Sequence, residues 1–488
     1  MTKRAACLIL LFCPAAAVFA PAQTFTTLAS FTGANGAGPQ DSLVQGTDGN
    51  LYGTTYSGGS STSSYCGSEG CGTVFKISPS GALTTLYSFC AQNGCTDGMF
   101  PYSGLLLATD GNFYGTTTKG GAGGWGTVFK ITTDGSFTSL LSFCPQGPPC
   151  VDAGYPIAPL IQGANGDFYG TTYLGGQGFG GNGYGTVFKV TASGTLTVLH
   201  SFCIDLNCSD GAYPRSPLIQ TANGNFYGTA SLGGTDYCSY DQGCGTIFEI
   251  TPEGQLTTLQ ALNSANGAYP YAGLVQATDG YLYGTTFGGG GTPKLCMQGC
   301  GTVFKVSPSG LLRVLQKLDI TDGAKPYDAL IQATDGNLYG TTYGDEPASN
   351  YGTLFEITPQ GSLTTLYNFY GTSSGYPEGG LFQATNGSFY GTTLGGGVGG
   401  TVFSLDMGLG PFVETLPSSR KLGAHVVILG NNLTGSTAVS FNGTSAAFTV
   451  ISDTELSTRV PSGASSGFVT VTTASGTLTS NKPFRVIP

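Results

Sequence analysis

Seven positions in this chain invite a reading in terms of chemistry. Four residues before a recurring Pro stand Asn35, Asp97, Asp152, Asp210, Asn266, Asp322 and Ser373. Side-chain oxygens repeated at one register would form a ring, and such a ring suits a cation such as Ca²⁺ or the hydroxyls of a sugar. The competing reading is an Asx turn, because Gly follows in several units and Asx-Gly is ordinary turn chemistry. A second group is aromatic: Trp125, Tyr173, Phe179, Tyr184, Tyr237, Tyr240, Phe287 and Tyr351 lie in or beside Gly-rich loops. Aromatic faces there could stack on sugars, whereas the Tyr and Phe inside strands belong to the core. A third group, Asp236, Asp241, Asp345 and Glu346, could supply the two carboxyls of a glycosidase, although acids in loops are usually only solvated. His200 and His425 are the two histidines, and neither accompanies a Ser or Cys nucleophile. The run Gly288 to Gly291 has no strand–loop–helix context and is not a phosphate cradle.

These residues hang on a sequence written seven times. A Tyr-Gly-Thr core starts at Tyr52, Tyr114, Tyr169, Tyr227, Tyr283, Tyr339 and Tyr390. A Gly-Thr-hydrophobe-Phe core starts at Gly72, Gly126, Gly185, Gly245, Gly301, Gly352 and Gly400. A repeat of this length marks a repeat architecture. Each unit reads as a short apolar run, an Asx-Gly pair, the Tyr-Gly-Thr strand, a Gly-rich loop, the Gly-Thr-Val-Phe strand, a turn and a fourth strand such as Leu83 to Phe89. The Asx-Gly pair is expected to form a type I′ hairpin turn, with positive φ at both residues. Four antiparallel strands per unit and no helical periodicity predict an all-β seven-bladed propeller. The fourth-strand motif already occurs at Phe25 to Phe31, and the last unit stops after Phe403 without one. The N-terminal strand is therefore expected to complete the last blade over a domain of residues 23–407 and so remove a free sheet edge. Residues 408–488 change pattern, and their short alternating strands predict a small β-sandwich of immunoglobulin type.

Composition narrows the function classes. Residues 23–407 carry ten Lys and Arg against 24 Asp and Glu. So acidic a body, with no basic stripe, excludes phosphate-driven binding of nucleic acid and docking on an anionic membrane. Lys3 and Arg4, the apolar run Ala5 to Phe19 and small Ala20 and Ala22 read as an export signal over residues 1–22, and no later segment reads as a membrane span. Twelve cysteines beyond Cys7 and Cys13 fall into six close pairs: Cys66/Cys71, Cys90/Cys95, Cys144/Cys150, Cys203/Cys208, Cys238/Cys244 and Cys296/Cys300. An even count in an exported chain implies disulfides. Zinc is disfavoured, because the pairs lack two-residue spacing and His is scarce. All six pairs fall in loops expected on one face, and each would stiffen its loop by roughly 2 kcal/mol.

The repeat Ala-Thr-Asp-Gly-Asn-Leu-Tyr-Gly-Thr-Thr, with its Gly-Thr-Val-Phe-Lys-Ile and Leu-Thr-x-Leu partners, resembles the GloVer (Gloeo-Verruco) extracellular tandem-repeat family over about residues 25–407. The tail resembles an IPT/TIG domain through Gly423 to Leu433, Val439-Ser440-Phe441-Asn442-Gly443-Thr444 and Val460-Pro461-Ser462-Gly463-Ala464. The resemblance implies an exported surface protein and no particular activity. The expected function is non-catalytic binding or adhesion outside the cytoplasm, at the cell surface or in the periplasm, by a monomer without cofactor unless Ca²⁺ binds. Its partner would be a polysaccharide or a cell-surface protein. The alternatives are a carbohydrate-active lyase or glycosidase, and a structural component of a surface layer. The ligand residues expected are Asn35, Asp97, Asp152, Asp210, Asn266, Asp322, Trp125, Tyr184 and Tyr240.

Overall fold

The computed structural model describes residues 23–487 apart from 62, 148–149, 180–182, 236–237, 239–242, 291–295, 297, 345–350, 372–374 and 397. The export signal expected over residues 1–22 lies outside the described residues. So do Tyr237, Tyr240, Asp236, Asp241, Asp345, Glu346 and Ser373.

Each repeat folds into one four-stranded antiparallel sheet, and there are seven such sheets, arranged as propeller blades. The third blade is typical, with strands A to D at Ile161–Gln162, Phe168–Thr172, Thr186–Val190 and Leu196–Ser201. The Gly of Tyr-Gly-Thr serves packing here, not a turn. In the third blade Gly170 pairs with Phe188 across strands B and C. A Cβ on Gly170 would stand 2.8 Å from Phe188 Cζ and 2.9 Å from Leu160 Cδ2. The same socket occurs at Gly53, Gly115, Gly228, Gly284, Gly340 and Gly391, each against the Phe of its own strand C. The missing side chain lets a fully buried ring lie on strand B.

The preceding Tyr joins blade to blade. Tyr52 packs against Phe113, Tyr114 against Phe168 and Tyr169 against Phe226, with ring centroids 4.1, 4.1 and 4.2 Å apart. Its hydroxyl then bonds the Asx four residues earlier: Tyr52 to Asp48 at 2.8 Å, and Asn223 Nδ2 to Tyr227 at 2.9 Å. The Asx-Gly turn differs from the expected type I′. Gly49 has φ 77°, whereas Asp48 is not left-handed. Gly49 N donates to Gly46 O and Gly46 N to Asn50 O, which closes a three-residue loop with a single left-handed glycine. Asp48 can stay out of the left-handed region because its carboxylate accepts Asn50 N at 3.1 Å and braces the turn itself.

The ring is closed by pairing of Thr24–Ser30 with Thr401–Asp406 and by Thr385 N donating to Gln45 Oε1 at 2.9 Å. That last bond repeats Thr109 to Gln162 and Ala164 to Gln220, so the seam is held like the interior joints.

Six disulfides join the expected pairs: Cys66–Cys71, Cys90–Cys95, Cys144–Cys150, Cys203–Cys208, Cys238–Cys244 and Cys296–Cys300. They lie in D–A and B–C connections, on the face opposite the A–B turns. Their cysteines also take part in backbone hydrogen bonding beyond their own loops. Cys244 and Cys300 are buried at the foot of strand C, and Cys208 turns the chain back under the B–C loop, where its carbonyl accepts both Gly211 N and Gly234 N at 2.9 Å. The second cysteine of each of these pairs therefore fixes a backbone carbonyl that neighbouring loops use. The sulfurs of Cys66, Cys71, Cys90 and Cys95 gather within 4.8 Å of one another, so two staples from different loops pack side by side.

The C-terminal sandwich has two four-stranded sheets around Val426, Ile428, Leu433, Phe441, Leu456 and Val471. It docks on the A–B turns of the propeller. Thr454 Oγ1 donates to Thr47 O at 2.6 Å, Asn431 Nδ2 to Thr385 Oγ1 at 2.7 Å, and Arg485 Nη1 to Thr221 O at 3.4 Å. These anchors belong to blades 1, 7 and 4, so the sandwich reaches across the ring.

The socket predicts the cost of filling it. Gly170→Ala should destabilise the propeller by about 1–3 kcal/mol, read as a lower denaturation midpoint. Combining it with Phe188→Leu should cost less than the sum of the two single changes.

Candidate functional site

Every D–A connection ends in the same way. The chain turns at a residue before Pro, passes the Pro and enters strand A. The residue before Pro is left-handed in all seven units: Gly38, Phe100, Tyr155, Tyr213, Tyr269, Lys325 and Tyr376 have φ between 54° and 66°. Backbone bonds hold this conformation. Tyr213 N donates to Tyr184 O at 2.7 Å, and Ser231 N donates to Tyr213 O at 3.3 Å. In three blades the acceptor is a disulfide cysteine: Phe100 N donates to Cys71 O at 2.8 Å, Tyr269 N to Cys244 O at 2.9 Å, and Lys325 N to Cys300 O at 2.8 Å. The effect is to aim the residue after Pro at the propeller axis. Those seven residues are Gln40, Tyr102, Ile157, Arg215, Tyr271, Tyr327 and Glu378, and all seven line one axial pocket. Its volume is about 410 Å³, counting space open to solvent.

A hydrogen-bond chain crosses the pocket. Arg215 Nη1 donates to Tyr327 Oη at 3.4 Å, the Tyr327 and Tyr102 hydroxyls lie 3.1 Å apart, and Tyr102 Oη donates to Glu378 Oε1 at 3.0 Å. It therefore links blades 4, 6, 2 and 7. Glu378 is only 7% exposed, and its Oε2 has no hydrogen-bond partner; neither has the buried Oε1 of Gln40. Gln40 lies near enough to help hold the Glu378 carboxyl down, but not in hydrogen-bonding geometry with Oε2. Burial wins nonetheless and pushes the Glu378 pKa up, against the hydroxyls of Tyr102 and Tyr327 and the Arg215 charge. Two orphan acceptors at the wall of a pocket are costly unless a donor reaches them.

Asp41 and Asp328 complete the floor. Both line the pocket, and burial is the dominant influence on each. Asp41 is pushed up to about 8 by burial and then by its neighbour Asp328, and Asp328 is raised by burial. Blade 7 makes room for the pair with Gly379-Gly380. A Cβ at Gly379 would meet Asp41 O at 2.6 Å, and one at Gly380 would meet Asp328 Oδ2 at 2.9 Å. Asp328 Oδ2 also accepts Gly380 N at 2.6 Å, tying blade 6 to blade 7.

Aromatic rings form the upper wall. The Arg215 guanidinium lies 4.6 Å from the Tyr271 ring and 5.1 Å from Tyr173. From Tyr173 the rings continue to Tyr213 at 5.0 Å and on to Tyr184 at 5.3 Å. On the other side Tyr271 contacts Phe287 at 4.9 Å and Tyr327 at 5.5 Å.

The residues singled out from sequence fall into distinct places. The Asx position closes its own loop. Asp97 is fully buried and accepts Tyr87 Oη at 2.7 Å and Ala91 N at 2.9 Å. Asp210 accepts Cys203 N at 3.1 Å and bonds His200 Nε2 at 2.8 Å. Asn35 accepts Thr32 N, Asn266 accepts Asn263 N, and Asp322 accepts Gln316 Nε2 at 3.0 Å. Asp152 is exposed. Apart from Asp152, these oxygens answer donors in or just after their own strand D. Of the loop aromatics, Tyr173 packs behind Arg215 and Phe287 behind Tyr271, both of which line the pocket, and Tyr184 ends the lane of rings that continues from Tyr173. Trp125 packs over Gly154 and Cys150 in the blade core. Phe179 is exposed, and Tyr351 lies edge-on to Tyr376 at 5.4 Å. The axial residues were missed from sequence. Their signal was divergence: after a Pro present in every unit, seven otherwise similar repeats carry five different residue types.

The buried acids make stability pH-dependent. Asp41 keeps its proton in the folded protein up to about pH 8, whereas the unfolded chain releases it near the ordinary value of 3.8. Between these values the folded state binds more protons, so this contribution is full at acid pH and lost as pH rises towards 8. Asp41→Asn/Asp328→Asn should therefore flatten the fall in melting temperature between pH 5 and pH 8 relative to the parent.

Comparisons with known proteins place the repeat and the tail. No curated protein matches the chain. Among solved structures, the extracellular domain of a hybrid two-component system from B. thetaiotaomicron aligns at 13% identity and a TM-score of 0.49, over 94% of this chain and 54% of that one. A gluconolactonase from Xanthomonas campestris aligns at 14% identity and 0.35, over 60% and 82%. A luciferin-regenerating enzyme aligns at 12% and 0.37, over 62% and 89%. At such values none bears on activity. The profile of the Gloeobacter/Verrucomicrobia repeat matches residues 60–295 and 295–436, and that of the IPT/TIG domain matches 413–486. With seven blades built on one repeated socket, the chain belongs to the Gloeobacter/Verrucomicrobia repeat family and carries a C-terminal IPT/TIG domain.

Proposed function

We propose that this is an exported binding protein whose axial pocket takes a carbohydrate presented on the disulfide-bearing face. One observation carries the reading: Glu378 Oε2 and Gln40 Oε1 are buried acceptors without partners in a pocket walled by Tyr271, Tyr327 and Tyr102. A ligand rich in hydroxyls donates to such oxygens while its C–H face lies against aromatic rings. Six disulfides fit export, since such bonds persist in oxidising compartments. Among the described residues no helix is long and apolar enough to cross a membrane. The Asx loops serve this reading as scaffold, and the carbonyls of Cys71, Cys244 and Cys300 hold the left-handed turn that aims the axial residues.

The enzyme reading keeps one support in the same place, the gathering of Asp41, Asp328 and Glu378 around the pocket. Binding and turnover are measured together. The oxidised chain should bind members of a glycan array without consuming them, and Tyr271→Ala/Glu378→Gln should weaken binding at least tenfold, for loss of about 1.4 kcal/mol or more. Asp210→Ala should lower the melting temperature and leave affinity unchanged. Release of product from a bound glycan, abolished by Glu378→Gln, would move the protein to the carbohydrate-active enzymes.

A further inference from the structure

The pocket is chemically polar along one direction. At one end lies Arg215, the one cation among its lining residues. No carboxylate among the described residues lies within ion-pair distance of it, and the one hydrogen bond it makes there is the long one to Tyr327 Oη at 3.4 Å. Tyr173 and Tyr271 take the faces of the guanidinium. They leave its N–H fork without the acceptor that such a group, desolvated and permanently charged, is built to hold. At the other end stand the two orphan acceptors, Glu378 Oε2 and Gln40 Oε1. Two tyrosine hydroxyls separate the ends, so Arg215 and Glu378 do not satisfy each other directly.

From this arrangement we infer that the pocket is specific for an acidic sugar, a uronate or aldonate unit, whose carboxylate seats on Arg215 while its hydroxyls donate to Glu378 and Gln40. The inference rests on the carbohydrate reading above and names its ligand class. A neutral sugar answers the acceptors but leaves the fork empty; an inorganic anion answers the fork but leaves the acceptors empty. A sugar acid answers both. The acidic body of the protein opposes a long polyanion, but its field is screened over roughly 8 Å at physiological salt. Recognition is therefore of a single carboxylate held at short range.

The test is calorimetric titration of the oxidised chain with galacturonate and glucuronate, with their methyl esters, and with galactose and glucose. The acids should bind at least about tenfold more tightly than the esters and neutral sugars, in line with a charge-assisted pair. Arg215→Gln should remove that preference and keep the weaker neutral binding, and Arg215→Lys should restore part of it. The ester comparison needs no variant, so it stands even if Arg215→Gln fails to fold. Equal binding of acid and ester, or a preference that survives Arg215→Gln, overturns the inference and leaves the carbohydrate pocket standing. No binding of any sugar overturns both.

Discussion

The propeller depends on one absent atom. In each unit the Cβ that Tyr-Gly-Thr lacks is the space in which the strand-C phenylalanine lies. Close packing leaves little alternative, since interiors tolerate neither a void the size of a ring nor an added methyl. The neighbouring residues follow from that contact. Once the ring lies on strand B, the preceding Tyr is turned to the next blade, where in four joints it packs against the Phe that opens that blade's strand B. Its hydroxyl then reaches the Asx of its own A–B turn. Core, inter-blade joint and turn brace are thus parts of a single motif, and seven copies make a ring.

Much of this was legible because it is repeated. The fold class follows from the period, the absence of helical spacing and the four-strand unit, and the disulfides follow from paired spacing. What spacing could not convey is that Cys71, Cys244 and Cys300 lend their carbonyls to the turn that enters the next strand A, since that bond spans 25 to 29 residues of chain. The A–B turn was not read correctly. Asx-Gly is shared by type I′ turns and by three-residue loops, and the dipeptide alone cannot tell whether the Asx is left-handed. Its carboxylate bond to Asn50 N, which keeps Asp48 out of the left-handed region, is a contact across two residues and not a propensity.

The site was harder for an opposite reason. A search for a shared residue type leads to the Asx position, and there likeness reflects a structural duty: Asp97, Asp210 and Asn266 each satisfy the exposed donors of their own loop. What differs between repeats is what the axis needs. An Arg, a Glu, a Gln, three Tyr and an Ile after the same Pro break a sevenfold scaffold into a pocket with distinct ends. Only the ring geometry brings residues as distant in sequence as Gln40 and Glu378 side by side.

The sandwich is anchored on blades 1, 7 and 4. Blades 1 and 7 meet at the seam where the first strand of the chain completes the last sheet, and blade 4 lies across the ring from them. One small domain thus holds both sides of the seam and the arc opposite, and acts as a clasp on the only joint of the ring that is not made by consecutive stretches of chain.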